Sequence, residues 1–447
     1  MKKLLSILLI SCIMITLTAC STNKQGNNDV STTDGAEKNS ESTVTEGGTG
    51  GGALDVWMIS QGSKTDAYAE AFADAHPEID FTITWYSDDD LKTQSKIALD
   101  SGVVPDVFAG HAGTDFQDYY NSGLLLDMTT LLKESGTYNR ISEGYFGPYT
   151  IEDKIYGYPV AGLTTWQTLY INRDIMKECG ITTDPKTVSD LIDISPKINE
   201  KGYAPLAIGN LDEWPAIILF GDYYAQQEKD MTVTDNIMTG KDTFTDNQSI
   251  RTAFQTVVDL GQAGTYMPGF ASTDQNTAIQ TFAAGQAAML YCGSWWSGIA
   301  GGTDLGFDLD VIQLPLVDGL SDNASVQLCS DVALLATKDC NKDALKKFID
   351  YLTDGGYYKT YAEELSAFTI SSDTSINENL KLDEVFTKEP IMRQFAKPVL
   401  SPFFDWVFPA PVTTELKTVF QEAIAGNMSV DDALAKVQAV MDENLVK

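Results

Sequence analysis

Two adjacent tryptophans, Trp295 and Trp296, are the side chains of this sequence best suited to direct ligand contact. They follow an apolar run, Ala288 to Tyr291, that is typical of a buried strand, and Gly293 separates them from it. Ligands of open α/β sheets bind beyond the carboxyl ends of strands, where an indole can stack on a sugar face or another planar ligand. Core burial is the alternative reading. Neighbours on an extended segment point to opposite sides, so we expect one ring to face ligand and the other protein.

Further aromatic and polar side chains lie at predicted loop ends. These additional candidate ligand residues are Trp166, Trp214, Trp406, Gln61, Thr114, Asp115, Asp212 and Asp331. Aromatic plates beside planar hydrogen-bonding groups suit neutral polyols, which present apolar faces and hydroxyls. Taken singly, each of these residues is at least as typical of a core or of a solvated surface.

Motifs for the common catalytic and metal-dependent chemistries are absent from the sequence. It contains no HExxH, P-loop or GxSxG, and no GxGxxG follows a strand. The acidic run Asp88-Asp89-Asp90 lacks the spacing of a calcium loop and reads as a solvated helix start. With 2 histidines, a multi-histidine metal site is not expected, and neither is a cofactor. The 63 carboxylates leave a glycosidase-like pair open.

The overall composition is that of an acidic globular protein. The 447 residues allow two or three domains, and the hydrophobic fraction of 43% is sufficient for large cores. The formal net charge of -33 argues against nucleic acids and anionic membrane surfaces as partners.

The first 53 residues are predicted to be targeting sequence and linker rather than fold. Residues 1–19 combine Lys2 and Lys3 with a short apolar run, as export signals do. The ending Leu17-Thr18-Ala19-Cys20 resembles the bacterial lipobox, which implies cleavage before Cys20 and a lipid on its sulfur; an ordinary secretory signal is the alternative. Residues 20–53 are polar and form a flexible tether with a reach of roughly 30 Å.

The body of the chain alternates strands and helices. The order β-α-β-α-β over 54–122 predicts a parallel sheet with helices on its faces, and a second β-α-β set begins near residue 163. Residues 152–154 read as the turn of a hairpin. Once the predicted signal is removed, four cysteines remain besides Cys20: Cys179, Cys292, Cys329 and Cys340. Their spacings dictate no disulfide pairing, and we expect them to be mostly free and buried.

Three blocks of sequence, in consistent order, resemble one family. They are PDVFAGHAGTDFQDYYNSGLLLDMTTLL at 105–132, DKIYGYPVAGLTTWQTLYINRDIMKECGI at 153–181 and FAAGQAAMLYCGSWW at 282–296. They are similar to blocks of the family-1 extracellular solute-binding proteins of ABC importers, which include the maltose-binding proteins. The resemblance extends over about 54–447.

The resemblance implies roles for single positions. Trp295 matches the family's aromatic plate, and Trp214 falls where maltose-type proteins have an aromatic residue in the second lobe. Gln61 falls on the first cleft loop, where those proteins carry an acid. Thr114 and Asp115 fall on the second cleft loop in place of an Asp-Arg pair, and His111 or Gly110 replaces an aromatic residue there. These departures disfavour maltodextrin itself and leave the saccharide class open.

The family implies a hinged, two-lobed α/β fold of the periplasmic-binding-protein type, each lobe a mostly parallel sheet flanked by helices. The expected ranges are 54–161 with 315–355 for lobe 1, and 162–314 with 356–447 for lobe 2. The implied function is non-catalytic: a monomeric, lipid-anchored receptor at the extracellular membrane face that delivers a saccharide to the transmembrane permease subunits. A receptor for another solute class and an anchored glycoside hydrolase or lyase are the alternatives.

Overall fold

The computed structural model describes the folded body of the chain. The described residues are 52–60, 62–141, 143–160, 167–228, 232–293, 296, 304–321, 327–328, 332–365, 369–373, 375–376, 379–381, 399–400 and 403–445. The predicted signal peptide and almost all of the predicted tether, including Cys20, lie outside them. The chain divides into Met1–Thr49 and Gly50–Lys447, and every described element belongs to the second unit.

Helices and strands alternate along this unit. The α-helices are α1 Ser63–Glu70, α2 Phe72–Ala75, α3 Asp88–Ser101, α4 Thr114–Asn121, α5 Thr129–Ser135, α6 Arg173–Glu178, α7 Val188–Glu200, α8 Trp214–Ala225, α9 Thr232–Met238, α10 Gln248–Gln262, α11 Gln275–Ala283, α12 Lys342–Leu352, α13 Gly356–Glu364, α14 Phe404–Val407, α15 Ala410–Ile424 and α16 Val430–Glu443. The strands are β1 Ala53–Ile59, β2 Asp80–Tyr86, β3 Val107–His111, β4 Thr150–Ile151, β5 Lys154–Ile155, β6 Gly157–Pro159, β7 Gln167–Asn172, β8 Ala204–Ala207, β9 Ala287–Gly293, β10 Leu309–Ile312, β11 Gln327–Leu328, β12 Val332–Ala336 and β13 Val399–Leu400. Short 3-10 helices occupy Thr137–Arg140, Glu143–Tyr149 and Phe270–Ser272.

The first sheet has the strand order β2-β1-β3-β12-β6. β1 runs parallel to β2 and β3, which confirms the β-α-β-α-β order predicted for residues 54–122. β12 returns from much later in the chain and lies antiparallel to β3 and β6. The hairpin predicted at 152–154 is also confirmed: β4 and β5 pair, and Glu152 and Asp153 have φ of 51° and 60°, as a type I′ turn requires.

The second sheet has the order β10-β7-β9-β8, and only β8 and β9 pair in parallel. The expectation of mostly parallel sheets is therefore wrong in detail, because both sheets are mixed. The physical reason is that the central strands are covered on both faces. A strand buried on both faces reads as a continuous apolar run, whatever the direction of its neighbours; β9 is buried at every position.

Helices on one face of the second sheet build a large core. α8 is buried at every position from Pro215 to Ala225, and a helix that is apolar all round must lie inside a fold. Phe220 of α8 packs edge-on against Phe404 and beside Phe420, which joins α8, α14 and α15. Within the described residues, no helix has both the length and the hydropathy needed to span a membrane.

Two segments pack differently from the predicted lobe ranges. Leu316 exchanges backbone hydrogen bonds with Lys186 and Val188, both on the second-sheet side. Glu364 at the end of α13 accepts hydrogen bonds from the backbone N–H groups of Lys64 and Thr65, at 3.1 and 2.8 Å, on the first-sheet side. We therefore propose that 315–321 belong to the second lobe and 356–365 to the first.

A buried carboxyl group lies in the core of the second lobe. Asp222 of α8 is 4% exposed and accepts a 2.7 Å hydrogen bond from the Tyr291 hydroxyl of β9. Burial raises the pKa of Asp222 to about 8, although the hydrogen bond from Tyr291 acts in the opposite direction. The carboxyl group is therefore mostly protonated at neutral pH.

This burial predicts a specific pH dependence of stability. Because the folded-state pKa is raised, the contribution of Asp222 is fully present below about pH 4 and is lost towards pH 8. The loss is about 1.4 kcal/mol per pH unit. Asp222→Asn keeps an acceptor for Tyr291 and cannot ionise. Denaturant unfolding should therefore show the variant close to wild type near pH 4.5 and more stable than wild type at pH 8. If the unfolding free energies of wild type and variant changed with pH in parallel, the result would contradict a protonated, buried Asp222.

Candidate functional site

The carboxyl-end edge of the first sheet brings together distant parts of the chain. The parallel strands β1 and β3 end there at Ile59 and His111. Val332, the first residue of antiparallel β12, pairs with His111. Two predicted site residues adjoin this edge in sequence: Gln61 is two positions after Ile59, and Asp331 directly precedes Val332.

A pocket opens at this edge. It is lined by Ile59, Leu91, Lys92, Ser95, Ala109, Gly110, His111, Asp115 and Tyr119. Its empty space, open solvent included, is about 200 Å³. His111 is 7% exposed, and Asp115 lies 3.6 Å from the Lys96 ammonium. The structure thus brings His111 and Asp115 to the same pocket.

The loop after β8 forms the corresponding edge of the second sheet. Asp212 is exposed, and its carboxylate accepts a 2.9 Å hydrogen bond from the Gln275 backbone N–H. Trp214, which is half-buried, is the first residue of α8, and its backbone N–H donates to the Asp212 carbonyl at 2.8 Å. Between them Glu213 has φ of 65°, a left-handed conformation that costs a non-glycine residue about 1 kcal/mol or more. This loop therefore holds Trp214 in one defined position.

A short stretch of chain joins the two edges. Val160 donates to the Val332 carbonyl at the first edge, and Gln167 of β7 pairs with Gly293 of β9 at the second. Seven residue steps separate Val160 from Gln167, so these two residues lie within about 25 Å of each other. One ligand can therefore contact both edges if the lobes approach.

Trp296 is a predicted ligand residue that the structure places in the core. It is 2% exposed and packs edge-on against Tyr170 and Phe282, with ring centroids 4.6 and 5.5 Å away. Its assignment to the site is therefore wrong. The ring covers the face of the second sheet opposite α8, where burial of a large aromatic surface outweighs any gain from exposure to ligand.

The remaining predicted site residues are not described. Gln61, Trp166, Trp295 and Asp331 lie outside the described residues. Thr114 and Trp406 have described backbones, in α4 and α14, but their side chains are likewise outside the description. The described residues include no group of three or more His, Cys, Asp or Glu side chains placed to hold a metal ion.

Comparison with known sequences decides the family. Residues 57–357, more than half of the chain, match the profile of the bacterial extracellular solute-binding protein family. The chain belongs to this family. Its members are transport binding proteins rather than enzymes.

Individual relatives of this solute-binding protein are distant in sequence. An ABC transporter extracellular-binding protein of Pyrococcus horikoshii is 23% identical over 372 residues, covering 78% of this chain and 76% of the relative. A solved chitin oligosaccharide binding protein has 21% identity and a TM-score of 0.73, covering 88% of this chain and 98% of its own. A Listeria monocytogenes ABC substrate-binding protein in complex with cycloalternan has 16% identity and a TM-score of 0.68, covering 88% and 98%. These structures confirm the predicted two-lobed α/β fold.

Sequence reasoning missed residues that shape the binding walls. Lys92 lines the pocket at the edge of the first sheet. Gln275, 3% exposed, accepts from the Gly209 N–H at 3.0 Å and donates to the Tyr291 carbonyl at 2.9 Å. It therefore ties the β8 loop to β9. The sequence gives no clear indication of this role, because Gln275 directly follows the helix cap Asp274, a position where side chains are usually solvated.

Proposed function

We propose that this solute-binding protein is a lipid-anchored receptor of an ABC importer that captures a saccharide between its lobes and presents it to the permease. The family membership supports capture of an extracellular solute. The Pyrococcus relative, described as an ABC transporter protein, supports the partner. Relatives that bind chitin oligosaccharide or cycloalternan support the ligand class.

The strand pairing at the edge of the second sheet carries this proposal. Gln167 pairs with Gly293. In the sequence, Trp166 directly precedes Gln167 and Trp295 follows Gly293 by two residues. β8 runs parallel to β9, and the loop beyond it ends at Trp214. In the sequence, Trp166, Trp214 and Trp295 are thus each close to a chain position at this edge, and indole rings are suited to stacking on sugar faces.

The edge of the first sheet supplies polar partners for hydroxyl groups. His111, Asp115 and Lys92 line its pocket, and the Lys96 ammonium lies 3.6 Å from the Asp115 carboxylate. These side chains offer both donors and acceptors to the hydroxyl groups of a polyol.

Closure follows from contacts made at both edges. The ligand contacts the two walls together only when the lobes approach, so it binds the closed state more tightly and shifts the population towards it. Such a receptor needs no reactive group. Incubation with oligosaccharides should therefore leave them intact, and new shorter products would favour the hydrolase alternative.

The membrane anchor is supported by the sequence Leu17-Thr18-Ala19-Cys20. Cys20→Ser removes the sulfur that would carry the lipid. It should therefore release the protein from the membrane fraction of expressing cells. Continued membrane association with a processed N-terminus would contradict the anchor.

Binding is tested by calorimetry with chitotriose, xylotriose, maltotriose and galactose. At least one should bind the wild type. Trp295→Ala should then lower the affinity for that sugar tenfold or more, since loss of a stacked aromatic contact costs on the order of 1.4 kcal/mol of binding free energy. Its stability to denaturant should change little.

The neighbouring residue provides a matched control. Trp296 is 2% exposed, so Trp296→Ala should cost roughly 3–5 kcal/mol of stability. The fraction that remains folded should bind with wild-type affinity. Unchanged affinity in Trp295→Ala would overturn the proposed stacking site.

A further inference from the structure

Two buried amide side chains at the edge of the second sheet each carry one polar atom with no hydrogen-bond partner in the part of the chain that the structure describes. Gln167, the first residue of β7, is 4% exposed, and Asn210, in the loop after β8, is 0% exposed. Among the described residues, neither Gln167 Oε1 nor Asn210 Nδ2 has a partner. Native proteins keep few such atoms, because a buried polar group without a partner costs free energy.

Both amides lie on the same side of the same sheet. Side chains alternate along a strand, so Gln167 shares a face with Leu169, which packs in the core that α8 completes. Asn210 Oδ1 accepts a 3.0 Å hydrogen bond from the Ala216 N–H of α8. Gln167 is therefore on the sheet face that α8 covers, and Asn210 is bonded to α8 itself.

Strand β9 lies between β7 and β8, and therefore between the two amides. Gln167 pairs with Gly293, which has no side chain. Ala207 of β8 pairs with Leu290; Gly293 is three residues beyond Leu290 and Asn210 three beyond Ala207. The backbones of β7 and β8 are two strand spacings apart, about 9.5 Å. Two inward-reaching amides can therefore share a ligand group across Gly293.

The orientation of the Asn210 amide is fixed by its other bonds. Its oxygen is held by Ala216, which leaves the nitrogen as the unpaired end and excludes a flipped assignment. Its backbone N–H donates to the Phe270 carbonyl at 2.9 Å. A donor fixed in this way is pre-organised for a ligand.

We propose that Gln167 and Asn210 are ligand-binding residues that read hydroxyl groups of the saccharide. A hydroxyl both donates and accepts, so it can donate to Gln167 Oε1 and accept from Asn210 Nδ2. Neutral amides would select a polyol rather than an ion. This inference rests on the proposed function, because a saccharide supplies the hydroxyls.

Gln226 offers a matched control on the same core. It is 6% exposed, and both ends of its amide are paired: Nε2 donates to the Pro315 carbonyl at 3.2 Å, and Oε1 accepts from the Val317 N–H at 2.9 Å. Substitution of an amide with a structural role, such as Gln226, should lower stability and leave sugar affinity unchanged. Substitution of a ligand-binding amide should lower sugar affinity and leave stability unchanged or raised.

The test compares Gln167→Met with Gln226→Met. Methionine fills similar volume without polar atoms. In the ligand-free protein, Gln167→Met should keep or raise the denaturant midpoint, because it removes an unpaired acceptor. Gln226→Met should lower the midpoint. For the tightest of the four named sugars, Gln167→Met should weaken affinity about three- to tenfold, and Gln226→Met should not change it.

Asn210→Asp is the second variant. It keeps the acceptor for Ala216 and removes the free donor, so it should also weaken sugar binding about three- to tenfold while α8 stays folded. If Gln167→Met lowers the midpoint as Gln226→Met does, the amide is paired in solution and the inference is overturned. Unchanged affinity in both Gln167→Met and Asn210→Asp, with wild-type binding intact, overturns only this assignment. A wild type that binds none of the sugars overturns the proposed function, and the assignment with it.

Discussion

The hydrogen bonds between antiparallel neighbours decide which side chains meet at the two sheet edges, the walls of the proposed binding site. His111 pairs with Val332, and Gln167 with Gly293, so chain segments far apart in sequence meet at two sheet edges. A slip of one residue in β7 would turn each of its side chains to the opposite face. Gln167 would then leave the side of α8. The register of these two pairs is thus the constraint on which the binding walls depend.

The second lobe combines a large apolar core with a few polar groups whose bonding states differ. Gln275 and Gln226 use both ends of their amides to hold loops against strands or helices. Asp222 is kept protonated by burial and bonds Tyr291. Gln167 and Asn210 differ because one polar end of each has no partner among the described residues. Buried polar groups that are fully satisfied specify structure, and each one that is not needs an explanation.

Much of this arrangement follows from local sequence. The first β-α-β-α-β unit and the hairpin at 152–154 are readable from periodicity and turn residues. The strand directions in the second sheet cannot be predicted from the sequence. β9 is buried at every position, so its sequence does not alternate between apolar and polar residues. The packing of α13 on α1 depends on contacts between residues about 300 positions apart, such as Glu364 with Thr65, which no local pattern encodes.

The candidate site shows the same division. In the sequence, Gly293 and the two tryptophans that come after it mark a strand end, but this pattern does not indicate which ring is buried. The packing of Trp296 against Tyr170 and Phe282 shows that Trp296 is the buried one. The roles of Gln275, Gln167 and Asn210 depend on bonding partners in other elements, so a glutamine in the core looks in sequence like one on the surface.

The central claim is that one saccharide bridges both sheet edges and closes the lobes. Small-angle X-ray scattering of the soluble Cys20→Ser protein, with and without a saturating concentration of its tightest sugar, tests it most directly. The account predicts a smaller radius of gyration with sugar, because the lobes approach when both walls are contacted. Superimposable curves at a concentration that calorimetry shows to be saturating would contradict it.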